Sequence, residues 1–80
     1  MDIRIVAYGI ARDIVGSNHM DMVIEEGQTV SQTVEQLKSK FPSFDDLASV
    51  KLAVNESYVE DNYVLLEGDE VVIIPPVSGG

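Results

Sequence analysis

The sequence contains no cysteine and only one histidine among its 80 residues. Without cysteine the chain has no disulfide, no thiolate nucleophile, no persulfide chemistry and no cysteine-ligated zinc site. The histidine, His19, lies in the stretch GSNHMD, whose composition is typical of an exposed turn. The adjacent acids Asp45 and Asp46 are likewise typical of a solvated turn. The sequence therefore predicts neither a metal site nor a bound cofactor.

Basic residues and long apolar runs are also scarce. Five lysines and arginines against fourteen acids give a net charge of −9, which repels nucleic acids and anionic membranes. We therefore expect a protein partner that offers a basic or neutral surface. No apolar run reaches membrane-spanning length, and charged residues interrupt the N-terminal stretch MDIRIVAYGIARDIVG, which is unlike a signal peptide. A cytoplasmic location is expected.

The remaining composition is that of a globular protein, 45% hydrophobic and 24% charged, and the length suits one domain. Apolar alternation predicts strands at residues 2–8, 19–26, 51–55, 58–60 and 70–74. A short helix is predicted within GIARDIVG, ending at Gly16, and a longer helix begins at Thr29, where Gln32 completes a capping box. Pro42 ends the longer helix. This order predicts an α+β fold, a mixed sheet of about five strands with one main helix packed on one face.

The last predicted strand carries four successive apolar residues, VVII. Because one long helix covers only one face of a sheet, either Val71 and Ile73 or Val72 and Ile74 should face outward. The alternation of the first strand places Tyr8 on the same outward side. Such an exposed apolar patch is typical of a partner site. The alternative is that the short helix and the loop after the long helix cover the patch.

The sequence ends in PPVSGG. Pro75 and Pro76 cannot donate to a β-ladder, so the sheet should end there and the backbone should project outward. The next four residues have small side chains or none, and when extended they reach roughly 13 Å. We predict that this tail enters a narrow channel of another protein and presents the Gly80 carboxylate there. A carboxylate reacts only once activated, and the chain has no Gly-rich phosphate loop, so a separate activating enzyme should consume the ATP.

Several stretches resemble the MoaD/ThiS family of ubiquitin-like sulfur carriers. They are AVNESYV, LLEGDEVVIIPPVSGG and the first strand followed by ARDIVG, and together the resemblance covers essentially the whole chain. The helical insert and the Pro-Pro pair are most similar to the molybdopterin branch. The resemblance implies a ubiquitin-like β-grasp fold with a domain at residues 1–76 and a flexible tail at residues 77–80. The chain differs from many members in carrying Ile73 and Ile74 where larger aromatic residues are common.

The resemblance also implies a mechanism. An activating enzyme adenylates Gly80, a sulfur donor protein supplies sulfur to form a thiocarboxylate, and the tail enters the large catalytic subunit of molybdopterin synthase. There the sulfur enters the molybdopterin dithiolene, within a heterotetramer, during molybdenum cofactor biosynthesis. The chain itself is implied to be a non-catalytic carrier. The implied partner interface comprises Tyr8, Tyr58, Ile74, Pro75 and Pro76, and the implied inserted tail comprises Val77, Ser78, Gly79 and Gly80.

Other functions fit the same residues. A ubiquitin-like protein modifier would join Gly80 to lysines through isopeptide bonds, and similar archaeal modifiers share the PPVSGG ending and the acidic surface. A sulfur carrier could instead serve another pathway, such as thiamine synthesis. The remaining alternative is an interaction domain with an inert tail.

Overall fold

The computed structural model of the chain describes residues 1–47 and 49–75. The strands are β1 (Asp2–Ala7), β2 (His19–Val23), β3 (Lys51–Val54), β4 (Ser57–Tyr58) and β5 (Glu70–Ile74), and the helices are α1 (Gly9–Val15), α2 (Val30–Lys40) and a 3-10 helix at Pro42–Asp46. This order confirms the predicted succession of elements. The predicted domain boundary after residue 76 and the tail at residues 77–80 lie outside the described residues.

The five strands form one mixed sheet in the order β2-β1-β5-β3-β4. The central neighbours β1 and β5 are parallel, and the other neighbouring pairs are antiparallel. The last residues of β1 and β5 therefore lie at the same end of the sheet, which we call the tail end. The opposite end, where these two strands begin, is called the base.

The hydrophobic core lies between one face of the sheet and the helices. Its largest fully buried apolar side chains are Phe44, Ile3, Ile5, Leu37, Leu65, Ile73, Val30 and Val71. Burying a side chain of this size contributes about 1.5–3 kcal/mol to folding. The fold is thus an α+β arrangement with one main helix across one face, as the sequence predicts.

The main helix begins where the capping box was expected. The Oγ1 of Thr29 accepts a hydrogen bond from the backbone N–H of Gln32 at 3.2 Å, and the Gln32 Oε1 accepts one from the Thr29 N–H at 2.9 Å. These two bonds satisfy N–H groups that the first turn leaves without intrahelical partners. The short helix ends at Gly16, which adopts the left-handed conformation that favours glycine (φ 92°).

Three local predictions were wrong. β2 ends at Val23 rather than near residue 26, and the chain then turns toward α2. β4 covers Ser57–Tyr58 rather than residues 58–60, because Asn55 and Glu56 form the turn, both with positive φ. The loop after α2 contains the 3-10 helix, whose residue Phe44 is fully buried. An isolated aromatic residue in a polar loop has no periodicity to reveal that it is part of the core.

Candidate partner-docking face and tail exit

The two faces of β5 differ in what covers them. Val71 and Ile73 are 0% and 1% exposed, whereas Val72 and Ile74 are only half-buried. The short helix and the 3-10 helix pack into the same core as α2 and therefore lie on the Val71 side. Val72 and Ile74 face outward, and the alternative in which these two segments cover them is excluded. We call this side of the sheet the open face.

Strand register arranges the residues of the open face in three rows across the sheet. The upper row, nearest the tail end, contains Tyr8, Ile74 and Lys51. The middle row contains His19, Val6, Val72, Ala53 and Tyr58. The lower row contains Asp21, Arg4 and Glu70. Tyr8 directly follows β1 and is level with Ile74 because Ala7 pairs with Ile73. Consecutive rows lie about 6.7 Å apart, two residues along a strand.

The rows differ in chemical character. The middle row is largely apolar, and the lower row is charged, with the Arg4 Nε 3.7 Å from the Asp21 Oδ1. Two tyrosines are prominent on the open face, since Tyr8 is 62% exposed and Tyr58 is 82% exposed. Exposed aromatic side chains beside aliphatic ones are typical of a protein-binding surface. The structure thus places Tyr8, Tyr58 and Ile74 on one face.

The chain leaves the sheet at the tail end. β5 ends at Ile74, which lies opposite Lys51 of β3, and Pro75 follows as a half-buried residue. Without an N–H, Pro75 cannot extend the ladder. The exit point therefore borders the upper row of the open face. The roles predicted for Pro76 and for residues 77–80 fall outside the described residues.

The base of β5 is held by side-chain hydrogen bonds that the sequence analysis missed. The Asn55 Nδ2 donates to the Asp69 Oδ1 at 2.9 Å, and the Asn55 Oδ1 accepts from the Glu70 N–H at 3.0 Å. The Asp69 Oδ2 accepts from the Leu66 N–H at 2.8 Å. The turn between β3 and β4 is thereby tied to the start of β5. A turn asparagine and the aspartate after Gly68 were the only local signals for this network.

Other candidate residues form no site. His19 is exposed at the edge of the open face, and Asp45 and Asp46 are exposed on the 3-10 helix. Within residues 1–47 and 49–75, no three His, Cys, Asp or Glu side chains come together in an arrangement suited to a metal ion. Over the same residues, no helix has both the length and the apolar composition needed to cross a bilayer.

A five-stranded mixed sheet crossed by one helix, with the chain leaving at the end of a central strand, defines a ubiquitin-like β-grasp protein. The chain belongs to the ThiS family, whose model matches residues 5–80. It is 35% identical to the molybdopterin synthase sulfur carrier subunit of Arabidopsis thaliana, over 100% of this chain and 84% of that relative. The likeness therefore extends over the whole chain rather than over the Gly-Gly ending alone.

Solved structures show the same fold. A Pyrococcus furiosus protein provisionally named molybdopterin converting factor, subunit 1, is similar with a TM-score of 0.87 and 26% identity, covering 96% of this chain and 99% of that protein. A Helicobacter pylori chain, solved in the complex of subunits 1 and 2 of the molybdopterin-converting factor, has a TM-score of 0.67 and 20% identity, covering 100% of both chains. At that identity the second likeness establishes the fold alone.

Proposed function

We propose that this chain is the sulfur carrier subunit of a molybdopterin synthase. The observation that carries the proposal is its full-length similarity to relatives bearing that name. The chain is a carrier in a two-subunit sulfurtransferase and is not itself catalytic, which is consistent with the open face being a docking surface rather than an enclosed pocket.

The working group is the Gly80 carboxylate. An activating enzyme joins it to the AMP portion of ATP and releases pyrophosphate, which gives a mixed anhydride. A persulfide of a donor protein then attacks the acyl carbon and displaces AMP, which gives an acyl disulfide. A thiol of the donor system cleaves the S–S bond, forms a disulfide with the donor's sulfur and leaves a thiocarboxylate on Gly80. Sulfur transfer to the pterin precursor of molybdopterin returns a carboxylate, so the carrier is used again. The chain needs no cysteine for this cycle because its sulfur is held on the main chain.

The open face is proposed to dock on the large catalytic subunit. Tyr8, Tyr58 and Ile74 supply apolar and aromatic surface beside the point where the tail leaves the sheet. Docking this face close to the large subunit's active site would direct residues 77–80 into it, with Pro75 and Pro76 at the entrance. The Helicobacter pylori complex of subunits 1 and 2 supports a pairing of this kind.

Mass spectrometry tests the proposed chemistry. The purified chain is incubated with the activating enzyme, ATP and a sulfur source, and its intact mass is measured. A mass increase equal to the difference between sulfur and oxygen, located on the C-terminal peptide, is the expected result. Branched Gly-Gly peptides on lysines of other proteins would instead support the protein-modifier alternative. If neither the heavier chain nor the branched peptides were found, both proposed uses of Gly80 would be contradicted.

Deletion of Gly80 provides the matched control. The variant lacks the acceptor carboxylate at the correct distance, so we expect no transferable sulfur and no molybdopterin formation. Its thermal unfolding should remain close to that of the unchanged chain because, over residues 1–47 and 49–75, the last core residue is Ile73, seven positions before Gly80. A large loss of stability on deletion would show that the tail belongs to the fold instead.

A further inference from the structure

The basic residues of this acidic chain are concentrated at one end. Four of the five lie toward the tail end. They are Arg12 in α1, Lys38 and Lys40 in the last turn of α2, and Lys51 at the first residue of β3. At the base, six acids lie in or beside the strand ends: Asp2, Glu25, Glu26, Glu67, Asp69 and Glu70. The same end also carries Asp13 in α1 and Asp45 and Asp46 in the 3-10 helix, so the charge around the tail is mixed rather than uniformly acidic.

Two of these cations border the open face from opposite sides. Arg12 lines a shallow depression of that face together with Val6, Tyr8 and His19. Lys51 lies in the upper row, directly opposite Ile74 on the neighbouring strand. The upper row and its surroundings thus combine apolar contact area with a positive charge on each flank.

Neither cation forms an ion pair with an acid in the described part of the chain, although Asp13 is the neighbour of Arg12 in α1. Over residues 1–47 and 49–75 the ion pair formed is that of Arg4 with Asp21, in the lower row. Arg12 and Lys51 are exposed, and both keep their donors available to a partner. The open face therefore runs from free positive charge at the tail end, through an apolar middle row, to acidic residues at the base.

We propose that the protein which receives the tail carries carboxylate side chains around the opening, and that these bind Arg12 and Lys51. The inference rests on the proposed function and names the chemistry of its docking surface. It differs from the expectation, drawn from net charge, of a basic or neutral partner surface, and the binding measurements below decide between the two. A partner with the opposite gradient of charge can bind the open face in one orientation only, with the tail end at the opening.

Complementary charge at the rim of an interface acts mainly on the association rate and on salt dependence. Both effects decline as ionic strength rises, since the Debye length is about 8 Å at physiological salt. Arginine adds geometric selection, because its guanidinium can bind a carboxylate through two parallel hydrogen bonds. The two cations are thus suited to orienting the carrier before the apolar rows make contact.

The test measures binding of the full chain to the large subunit of molybdopterin synthase from the same organism, at low and at physiological ionic strength. Arg12→Glu and Lys51→Glu should each weaken binding roughly fivefold to tenfold at low salt, mostly through slower association. Arg12→Lys keeps the charge but loses the paired hydrogen bonds of the guanidinium, so it should weaken binding less than Arg12→Glu does. Thermal unfolding of every variant is recorded so that misfolding is not mistaken for lost binding.

Lys40→Glu is the matched control. It makes the same change of charge at the same end of the molecule, but on α2, which packs against the opposite face of the sheet. We expect its affinity to stay within about twofold, since long-range charge effects are screened. Unchanged or tighter binding by both Arg12→Glu and Lys51→Glu overturns the inference, and so does an equal loss with Lys40→Glu.

Failure of the inference is distinguishable from failure of the proposed function. Ile74→Asp disrupts the apolar part of the same face and is measured in parallel. If Ile74→Asp weakens binding while the two charge reversals do not, the docking face is right and the acidic opening is wrong. If none of the three weakens binding, the open face is not the docking surface and the inference fails with it.

Discussion

The two faces of β5 are built from the same kinds of residue and yet differ in what covers them. Val71 and Ile73 are sealed beneath the helices, whereas Val72 and Ile74 look outward and are half-buried by their neighbours alone. The apolar character of the strand gives no indication of which pair is which. The comparison shows that only one pair of a four-residue apolar strand is used by the folding core. The number of layers in the fold decides which pair is buried, and it leaves the other pair on the face that we propose for docking.

Alanine substitutions on adjacent residues should give the largest contrast in stability. Ile73→Ala leaves a cavity in the core and should lower the free energy of unfolding by about 2–5 kcal/mol. Ile74→Ala removes a side chain that is only half-buried, so it should cost less than about 1.5 kcal/mol. Urea unfolding of both variants checks the difference. Equal losses would mean that the open face is as much a part of the folding core as the helix-covered face.

Binding should show the reverse contrast. Ile74→Asp places a charge in the upper row beside the tail exit, and we expect the affinity for the large subunit to fall by about 2 kcal/mol, roughly thirtyfold. Val23→Asp is the control, because Val23 is 69% exposed on the open face but lies at the base, where it pairs with Asp2. Its affinity should change much less. Similar losses for both variants would show that the docking surface is not centred on the tail end.

The sequence predicts most of the fold because its signals are local. The capping box at Thr29, the stop at Gly16 and the strand at residues 70–74 each depend on residues close together in the chain, and each was confirmed. The burial of Phe44 was missed since it depends on where a loop packs. The Asn55 pairing was missed since its partner lies 14 residues away.

The candidate site was accessible to sequence reasoning in part. Alternation indicated that Tyr8 would share a face with one apolar pair of β5, but it could not choose the pair or give the register that forms the three rows. Net charge alone led to the expectation of a basic or neutral partner surface, because composition carries no positions, whereas the positions of the cations led us to propose an acidic surface around the tail. Arg12 and Lys51 lie beside the point where the chain leaves the sheet because of the direction of α1 and the pairing of β3 with β5.

The smallest expected change in stability tests the difference between the two ends of β5. The first residue of the strand is held at the base by side-chain hydrogen bonds, and the last residue leads into the tail. Asn55→Gly removes the two side-chain hydrogen bonds, to the Asp69 Oδ1 and from the Glu70 N–H, and it tolerates the left-handed φ of 49°. The backbone hydrogen bond from residue 55 to the Glu70 carbonyl oxygen is kept. We expect a loss of about 1–2 kcal/mol in the free energy of unfolding, since the Asp69 carboxylate, which is 7% exposed in the unchanged chain, loses a donor. Sulfur transfer measured well below the unfolding temperature should be unchanged, because the network lies at the base.

Glu56→Gly supplies the comparison for that last variant. Glu56 is the other left-handed residue of the same turn, with a φ of 71°, and its side chain is exposed. Glycine relieves its backbone strain, so stability should stay the same or rise slightly, within about 1 kcal/mol. The difference in unfolding free energy between the two variants then reports the side-chain hydrogen bonds of Asn55. If Asn55→Gly were no less stable than Glu56→Gly, the turn would not anchor β5, and the backbone ladder alone would hold the base of the strand in register.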